Sequence, residues 1–279
     1  MAGKIIWLAS YPKSGNTWFR VYLSNLLRDT DEPVSINKLD RTPIASARNM
    51  FDEATGLSSA ELTNDEIDNL RPDVYQSLSD EAKDYLYFKI HDAYTKLDDG
   101  RNLIPTTATK AAIYFVRNPL DVATSFAHHS NLPYDKMIAA MGNSDYAFCS
   151  KSDKLHNQLR QKLLTWSGHV ESWTTPKPFP VHVMKYEEMK TNTFETFKKV
   201  TRFLGLRHTD EQILKALNFS SFEVLAEQEK KEGFKEKSQD AKYFFRKGLI
   251  GSWKEELEND LVKKIISDNE DVMKKYGYL

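Results

Sequence analysis

Apolar residues along the chain fall into short continuous runs that alternate with longer, amphipathic ones. Ile5-Ile6-Trp7-Leu8-Ala9 is a run of the first kind and predicts a strand over Lys4 to Ser10. Phe19, Val21, Tyr22, Leu23, Leu26 and Leu27 recur at helical spacing and predict a helix over Thr17 to Arg28. Residues Asp29 to Met50 are polar and broken by Pro33 and Pro43. Thr63 and Glu66 have capping-box spacing, which predicts a short helix to about Leu70. Tyr85 to Ile90 and Ala111 to Val116 read as buried strands, the second ended by Arg117-Asn118-Pro119. Pro119 suits the first turn of a helix running towards His129. Residues Ser130 to Ser152 read as an insertion or mobile cover over one end of a sheet.

Leu155, Leu159, Leu163, Trp166, Val170 and Trp173 follow at alternating spacings of three and four, predicting one amphipathic helix with a core-facing stripe. Pro176, Pro178 and Pro180 lead into a strand over Val181 to Lys185. Phe194, Phe197, Val200, Phe203 and Leu204 mark a helix stopped by Gly205. Thr209 caps a short helix through Leu217, and Ser220-Ser221-Phe222 starts another. Glu229 to Asp240 is highly charged and reads as a loop, solvated over Glu229 to Lys237 or closing with the Arg246 segment that it precedes, and a charged helix closes the chain. Strands alternating with helices predict an α/β fold: one domain over 1–279, with a central, mostly parallel sheet flanked by helices. Ligands of such folds gather at the C-terminal strand ends.

Composition narrows the picture. A length of 279 residues and 40% hydrophobic content suit one large domain with a substantial core. A formal net charge of -1 excludes a general nucleic-acid surface. The single cysteine, Cys149, excludes an internal disulfide framework and a cysteine-rich metal site. Met1 leads straight into the first strand and no apolar run could span a bilayer, so the expectation is a soluble, cytoplasmic protein.

The densest candidate chemistry lies in Tyr11-Pro12-Lys13-Ser14-Gly15-Asn16-Thr17-Trp18, between the first strand and the first helix. Backbone N–H groups at a helix start lack intrahelical partners, and the helix dipole favours an anion there. Gly15 permits close backbone approach, and Lys13 adds a positive charge. The loop reads as a phosphate or sulfate cradle. It is not a Walker A loop, because its lysine precedes the glycine. His91 and Arg117 also fall at predicted strand C-termini.

Together these segments resemble the sulfotransferases that use 3′-phosphoadenosine 5′-phosphosulfate (PAPS), of the soluble cytosolic type and its bacterial relatives. Tyr11 to Trp18 is similar to the family's loop for the 5′-phosphosulfate. Tyr114-Phe115-Val116-Arg117-Asn118-Pro119, followed by Ser125, is similar to its 3′-phosphate segment. Arg246-Lys247-Gly248, followed by Gly251, Trp253 and Lys254, is similar to its second 3′-phosphate segment. The resemblance runs from the first strand to the last helix and implies a P-loop-like nucleotide-binding sulfotransferase fold. It implies donor contacts from Lys13, Ser14, Gly15, Asn16, Thr17 and Trp18, from Arg117 and Ser125, and from Phe245, Arg246, Lys247 and Gly248. Trp18 and Phe222 would flank the adenine, and Tyr186 and Ser220 would reach its polar edge.

PAPS would serve as donor and 3′-phosphoadenosine 5′-phosphate (PAP) would be the product, with no metal required. Arg117 has the planar fork that bonds phosphate bidentately. Lys13 is the candidate cation for the leaving oxygen, and Lys89 for the sulfonate oxygens. His91, two residues from Lys89 and so on the same strand face, is the candidate general base. The acceptor would be a small or medium hydroxylated molecule: a phenol, an alcohol or a lipid-like compound. Tyr94, Tyr134, Met137, Tyr146 and Phe148 could build its apolar pocket, and acceptor-side loops are expected within 31–83 and 130–153.

Blander readings stand beside these. His128 and His129 read as the exposed end of a helix, and Tyr186, Ser220 and Phe222 taken singly suit packing. Asn16 stands where many animal members have threonine, with an amide that can still bond phosphate. Ser252 stands where aspartate is frequent. The dimer motif of many animal members is not evident over Lys254 to Lys263, so a homo-oligomer stays open. Two other functions share the loop-and-helix logic: a nucleotide-dependent kinase, and a non-catalytic nucleotide-binding protein.

Overall fold

The computed structural model describes residues 3–151, 154–238 and 241–279. In chain order its elements are β1 (Ile5–Ser10), α1 (Asn16–Arg28), α2 (Arg48–Thr55), α3 (Asn64–Glu81), β2 (Leu86–Ile90), β3 (Thr109–Val116), α4 (Pro119–Ser130) and α5 (Tyr134–Met141). Then come β4 (Ala147–Phe148), β5 (Gln161–Lys162), α6 (Trp166–Thr174), β6 (Val181–Lys185), α7 (Tyr186–Thr191), α8 (Thr193–Phe203), α9 (Asp210–Phe219), α10 (Phe222–Glu232) and α11 (Asn259–Lys275). They form two compact units. The first comprises Met1–Tyr11, Thr42–Tyr114 and Met141–Val183; the second comprises Pro12–Arg41, Phe115–Ala140 and Met184–Leu279.

The first unit is organised by a mostly parallel sheet of strand order β2-β1-β3-β6. β1 and β2 pair in parallel, from Ile5 opposite Leu86 to Ala9 opposite Ile90. Every residue of β1 is buried, which is why it reads as a continuous rather than an alternating apolar run. Phe51, Ile67, Val74 and Leu159 form a further apolar cluster in this unit.

The second unit packs α1 with α8 and α9, and the Tyr22 hydroxyl lies 2.7 Å from that of Thr201. Val21, Ile36, Leu39, Leu225 and Phe234 make a second cluster, against which Trp18, Phe244 and Phe245 pack. Among the described residues no helix is long and apolar enough to cross a membrane.

Three expectations about elements need correction, and that for 130–152 gains detail. The capping box at Thr63 is present, but α3 runs to Glu81 and contains Pro72. An interior proline typically costs a helix about 3 kcal/mol; the buried apolar face of Ile67, Val74 and Tyr75 works against that cost, and the buried Arg71 is paired with Asp68 and Asp92.

The stripe from Leu155 to Trp173 is not one helix. Only Trp166–Thr174 is helical, with the Thr165 hydroxyl accepting from the Gly168 N–H at its start. Upstream, Leu159, Gln161 and Leu163 are buried at a spacing of two, and Leu155 is exposed. Apolar residues four apart fit both periods, and here the strand won.

The expected insertion over 130–152 contains α5 and β4, whose Ala147 and Phe148 pair antiparallel with Lys162 and Gln161; its last residue lies outside the described residues. Finally, 229–240 is not simply a solvated loop. α10 continues to Glu232, and Glu229 is buried; residues 239–240 lie outside the described residues.

Candidate active site

The cradle loop is built as its composition suggests. Gly15 is the N-cap of α1 at φ 102°, and no side chain caps that helix. The first intrahelical bond of this turn runs from Phe19 N–H to the Gly15 carbonyl, which leaves the preceding N–H groups without helical partners. A Cβ on Gly15 would stand 2.8 Å from the Tyr186 ring, so the position requires glycine for space as well as for φ. Lys13 adopts φ 67°, a left-handed conformation that costs a non-glycine residue about 1–2 kcal/mol. Its ammonium lies 3.8 Å from the centre of the Phe244 ring.

Arg117 holds two separate loops of this unit at once. One terminal nitrogen donates to the Lys13 carbonyl at 3.1 Å, and the other donates to the Leu249 carbonyl at 2.9 Å. The guanidinium lies 4.2 Å from the centre of the Tyr186 ring. α4, which follows, starts on Asn118, whose side chain accepts from the Leu120 N–H, with Pro119 in the first turn. Ser125 sits half-buried farther along that helix. Ser14 Oγ, Arg117 Nε and Trp18 Nε1 are buried and have no hydrogen-bond partner among the described residues. A hydroxyl, a guanidinium N–H and an indole N–H form a donor set suited to a phosphorylated nucleotide.

The C-terminal segment is pinned by two acidic residues that sequence reading did not assign. Glu229 accepts from the N–H groups of Phe244 and Phe245 at 2.7 and 2.9 Å. Asp121, on the first turn of α4, accepts from the Gly251 N–H at 2.8 Å and from the Ser252 hydroxyl and Trp253 N–H, each at 3.3 Å. Gly248 is at φ 61°, and a Cβ there would meet the Phe222 ring at 2.6 Å. Phe222 and Gly248, predicted separately, are therefore in contact.

Arg246 and Lys247 are engaged by Glu256. Arg246 binds its carboxylate bidentately at 3.1 and 3.0 Å, and the Lys247 ammonium lies 2.9 Å from it. Tyr134 donates to it at 2.8 Å, and His128 Nε2 lies 3.0 Å away. Burial pushes this carboxyl up, but the bonds from Arg246, Lys247, Tyr134 and His128 outweigh it and draw it down to about 2. Two adjacent acids three residues after Gly251-Ser252 were the available signal.

The remaining donor-side residues belong to the same unit. Trp18 meets Tyr186 edge-on with ring centres 6.2 Å apart. Burial raises the Tyr186 phenol above its ordinary value. Ser220 is fully buried and donates to the Ala216 and Leu217 carbonyls at 2.8 and 3.1 Å, so only its lone pairs could serve an adenine amino group. Phe245 packs against Phe234 and Phe244. Asn16 and Thr17 are buried in the first turn of α1.

Lys89 and His91 belong to the first unit. Lys89 is held on both sides of β2: it pairs with Leu8, donates its N–H to the Pro43 carbonyl at 2.9 Å and accepts from Ala45 N–H at 2.8 Å. His91 follows the strand's last residue. Its Nδ1 lies 2.8 Å from the Ser10 carbonyl and 3.3 Å from the Ser10 hydroxyl. A carbonyl only accepts, so Nδ1 carries the proton and Nε2 carries the lone pair of the neutral ring. Phe148 meets the ring edge-on at 6.4 Å, and Tyr146 meets Phe148 at 6.2 Å. Of the other proposed acceptor-side residues, Tyr94 packs on Trp173 and Phe179, and Tyr134 is bound to Glu256. Met137 is fully buried, which explains its apolar character without a ligand.

Behind His91 lies His169, on α6 and fully buried. Desolvation pulls its imidazole down to about 4. A base with a depressed folded value binds fewer protons folded than unfolded. Its contribution to stability is therefore present above about pH 6.5 and is lost as pH falls towards 4; over that window it amounts to about 3 kcal/mol. Urea unfolding at pH 7 and pH 4 should show His169→Leu losing less stability on acidification than the wild type. An equal loss would contradict the neutral buried imidazole.

Within the second unit, the uncapped start of α1 is thus joined through Arg117 to the loop that carries Leu249. The chain matches the sulfotransferase domain over residues 4–277 and belongs to that family. Among curated relatives, the flavonol 3-sulfotransferase of Flaveria bidentis is 24% identical, over 93% of this chain and 78% of its own. The luciferin sulfotransferase of Photinus pyralis is 27% identical, over 92% and 68%. Among solved structures, mouse sulfotransferase SULT7A1 complexed with PAP superposes with a TM-score of 0.60 at 22% identity, covering 97% of this chain and 84% of its own. Retinol dehydratase in a complex with retinol and PAP gives 0.62 at 17% identity, covering 98% and 82%. The fold is that of the sulfotransferases, and the chain is a sulfotransferase.

Proposed function

We propose that the protein transfers a sulfuryl group from PAPS to a hydroxyl of a small or medium acceptor. The observation that carries the donor assignment is Arg117, whose guanidinium bonds the Lys13 and Leu249 carbonyls and keeps an unpartnered, buried Nε–H. One fork thus ties the loop suited to the 5′-phosphosulfate to the segment suited to the 3′-phosphate. The PAP bound by the mouse sulfotransferase and by retinol dehydratase agrees with that choice of nucleotide.

The donor supplies an activated sulfuryl group on a phosphate leaving group. Lys13 and the first N–H groups of α1 neutralise the charge that grows on the bridging oxygen as its bond to sulfur breaks. Lys89 balances the sulfonate oxygens. His91 Nε2 takes the proton of the acceptor hydroxyl as the new oxygen–sulfur bond forms. Phe148, edge-on to His91, and Tyr146 beside it suit an acceptor with an apolar body. Trp18 and Phe222 flank the adenine.

Thermal-shift titration tests the donor directly. Stabilisation by PAP but not by ATP with Mg²⁺ is expected, because a ligand stabilises only the state it binds. The reverse preference would favour a kinase.

In this reading Arg246 and Lys247 exchange the Glu256 carboxylate for the 3′-phosphate. Glu256→Gln removes the competing charge and should tighten PAP binding about fivefold by calorimetry. Weaker binding would mean that Glu256 aims the two cations instead of competing for them.

A further inference from the structure

The parallel ladder between β1 and β2 ends at Ala9 opposite Ile90, one residue short of His91. Beyond it, side chains hold the backbone. The His91 carbonyl lies 3.0 Å from His169 Nε2, and the Asp92 carbonyl accepts from Trp173 Nε1 at 3.0 Å. The Asp92 carboxylate is gripped by Arg71 at 3.0 and 2.7 Å, and the Ala93 N–H donates to the Lys162 carbonyl at 2.8 Å. All of these residues belong to the first unit.

The His169 contact is the one that acts on His91 itself. Since a carbonyl only accepts, His169 carries its proton on Nε2, and its Nδ1 accepts from the Tyr114 hydroxyl at 2.9 Å. The ring is further boxed by Tyr11, edge-on at 5.4 Å, and by Tyr114 at 5.7 Å. A polar ring with no exposed surface, beside Val170 and Trp173, is costly to bury unless both nitrogens are satisfied. Packing alone would be served by leucine. What the imidazole adds is a rigid donor aimed at the carbonyl of His91.

We propose that His169 is a positioning residue for the transfer reaction: oriented by Tyr114, it fixes the His91 backbone so that the His91 ring meets the Ser10 carbonyl through Nδ1–H and presents Nε2 to the acceptor hydroxyl. This inference rests on the proposed role of His91 as base. It assigns His169 no contact with substrate. Its effect is expected on turnover rather than on PAP binding, because its contacts run to His91, Tyr114 and Tyr11, none of them a proposed PAP contact.

The test compares His169→Leu, His169→Gln and Tyr114→Phe, each checked for folding by thermal melting, with His91→Ala alongside. His169→Leu should lower kcat at least about tenfold, because small misplacements of a reacting group are costly, while the PAP dissociation constant stays within about twofold. His169→Gln, whose amide N–H can donate to the same carbonyl, should restore kcat to within about threefold of the wild type. Nitrogen-15 NMR of the His91 ring should show the Nδ1–H tautomer in the wild type and the glutamine variant, and a mixture in the leucine variant.

A folded His169→Leu enzyme with wild-type kcat and an unchanged His91 tautomer overturns the proposal, provided that His91→Ala is inactive. If His91→Ala is itself fully active, the role of His91 as base fails first. Should His169→Leu not fold, Tyr114→Phe decides: reduced kcat with PAP affinity kept supports the chain from Tyr114 to His91, and unchanged kcat overturns it.

Discussion

Replacing His91 with alanine is expected to lower kcat by about two to four orders of magnitude with a hydroxyl acceptor, the range typical of losing a positioned general base. PAP affinity should stay within about twofold, since binding energy unrelated to proton transfer is left intact. The geometry is compatible with this proposed role. The Ser10 carbonyl, 2.8 Å from Nδ1, dictates which nitrogen is protonated and so which one is basic. Other histidines fit the task poorly. His169 is fully enclosed, and His128 lies against Glu256. Full activity in His91→Ala would remove His91 from the chemistry and leave the charges at Lys13 and Lys89 as the main contributors.

The second large effect is expected at Arg117. Arg117→Ala should weaken PAP binding about a hundredfold, roughly 3 kcal/mol, as measured by calorimetry. The loss has two parts. The phosphate forfeits a charged donor, and the Lys13 and Leu249 carbonyls forfeit the group that joins their loops. Arg117→Lys should recover only a minor part, because an ammonium cannot reproduce the planar fork that serves two carbonyls and an anion together. Salt should weaken PAP binding in the wild type more than in Arg117→Ala, in which one of the charges being screened is gone. Unchanged affinity in Arg117→Ala would refute the 3′-phosphate assignment.

Features encoded within a few neighbouring residues were legible in the chain itself. β1 and α1 emerge from an apolar run, a loop with Gly15, and a helical stripe. The capping boxes at Thr63 and Thr209 start their helices as their spacing implies. The lengths of elements were less legible. Pro72 argued for an early end to α3, and burial of that helix overrode it. Leu159 and Leu163 satisfied helical and strand periods alike, and only tertiary packing chose between them.

Within the candidate site, the cations and the histidine were legible through the family resemblance. Their acidic partners were not. Asp121 lies 130 residues from Gly251, and Glu229 lies 15 residues before Phe244. An isolated carboxylate in a charged stretch looks solvated until the fold supplies its N–H donors. His169 was hidden for a similar reason: it stood inside an apolar stripe that read as core, and its partner at His91 is 78 residues away.

The most direct test of the account is a transfer assay with sulfur-labelled PAPS and a panel of phenols and alcohols, run with wild-type protein and Lys13→Ala. The account predicts labelled acceptor and PAP in equal amounts with the wild type, and at least about a tenfold lower rate with Lys13→Ala. Tight PAP binding by the wild type with no label transferred to any hydroxylated acceptor would contradict it.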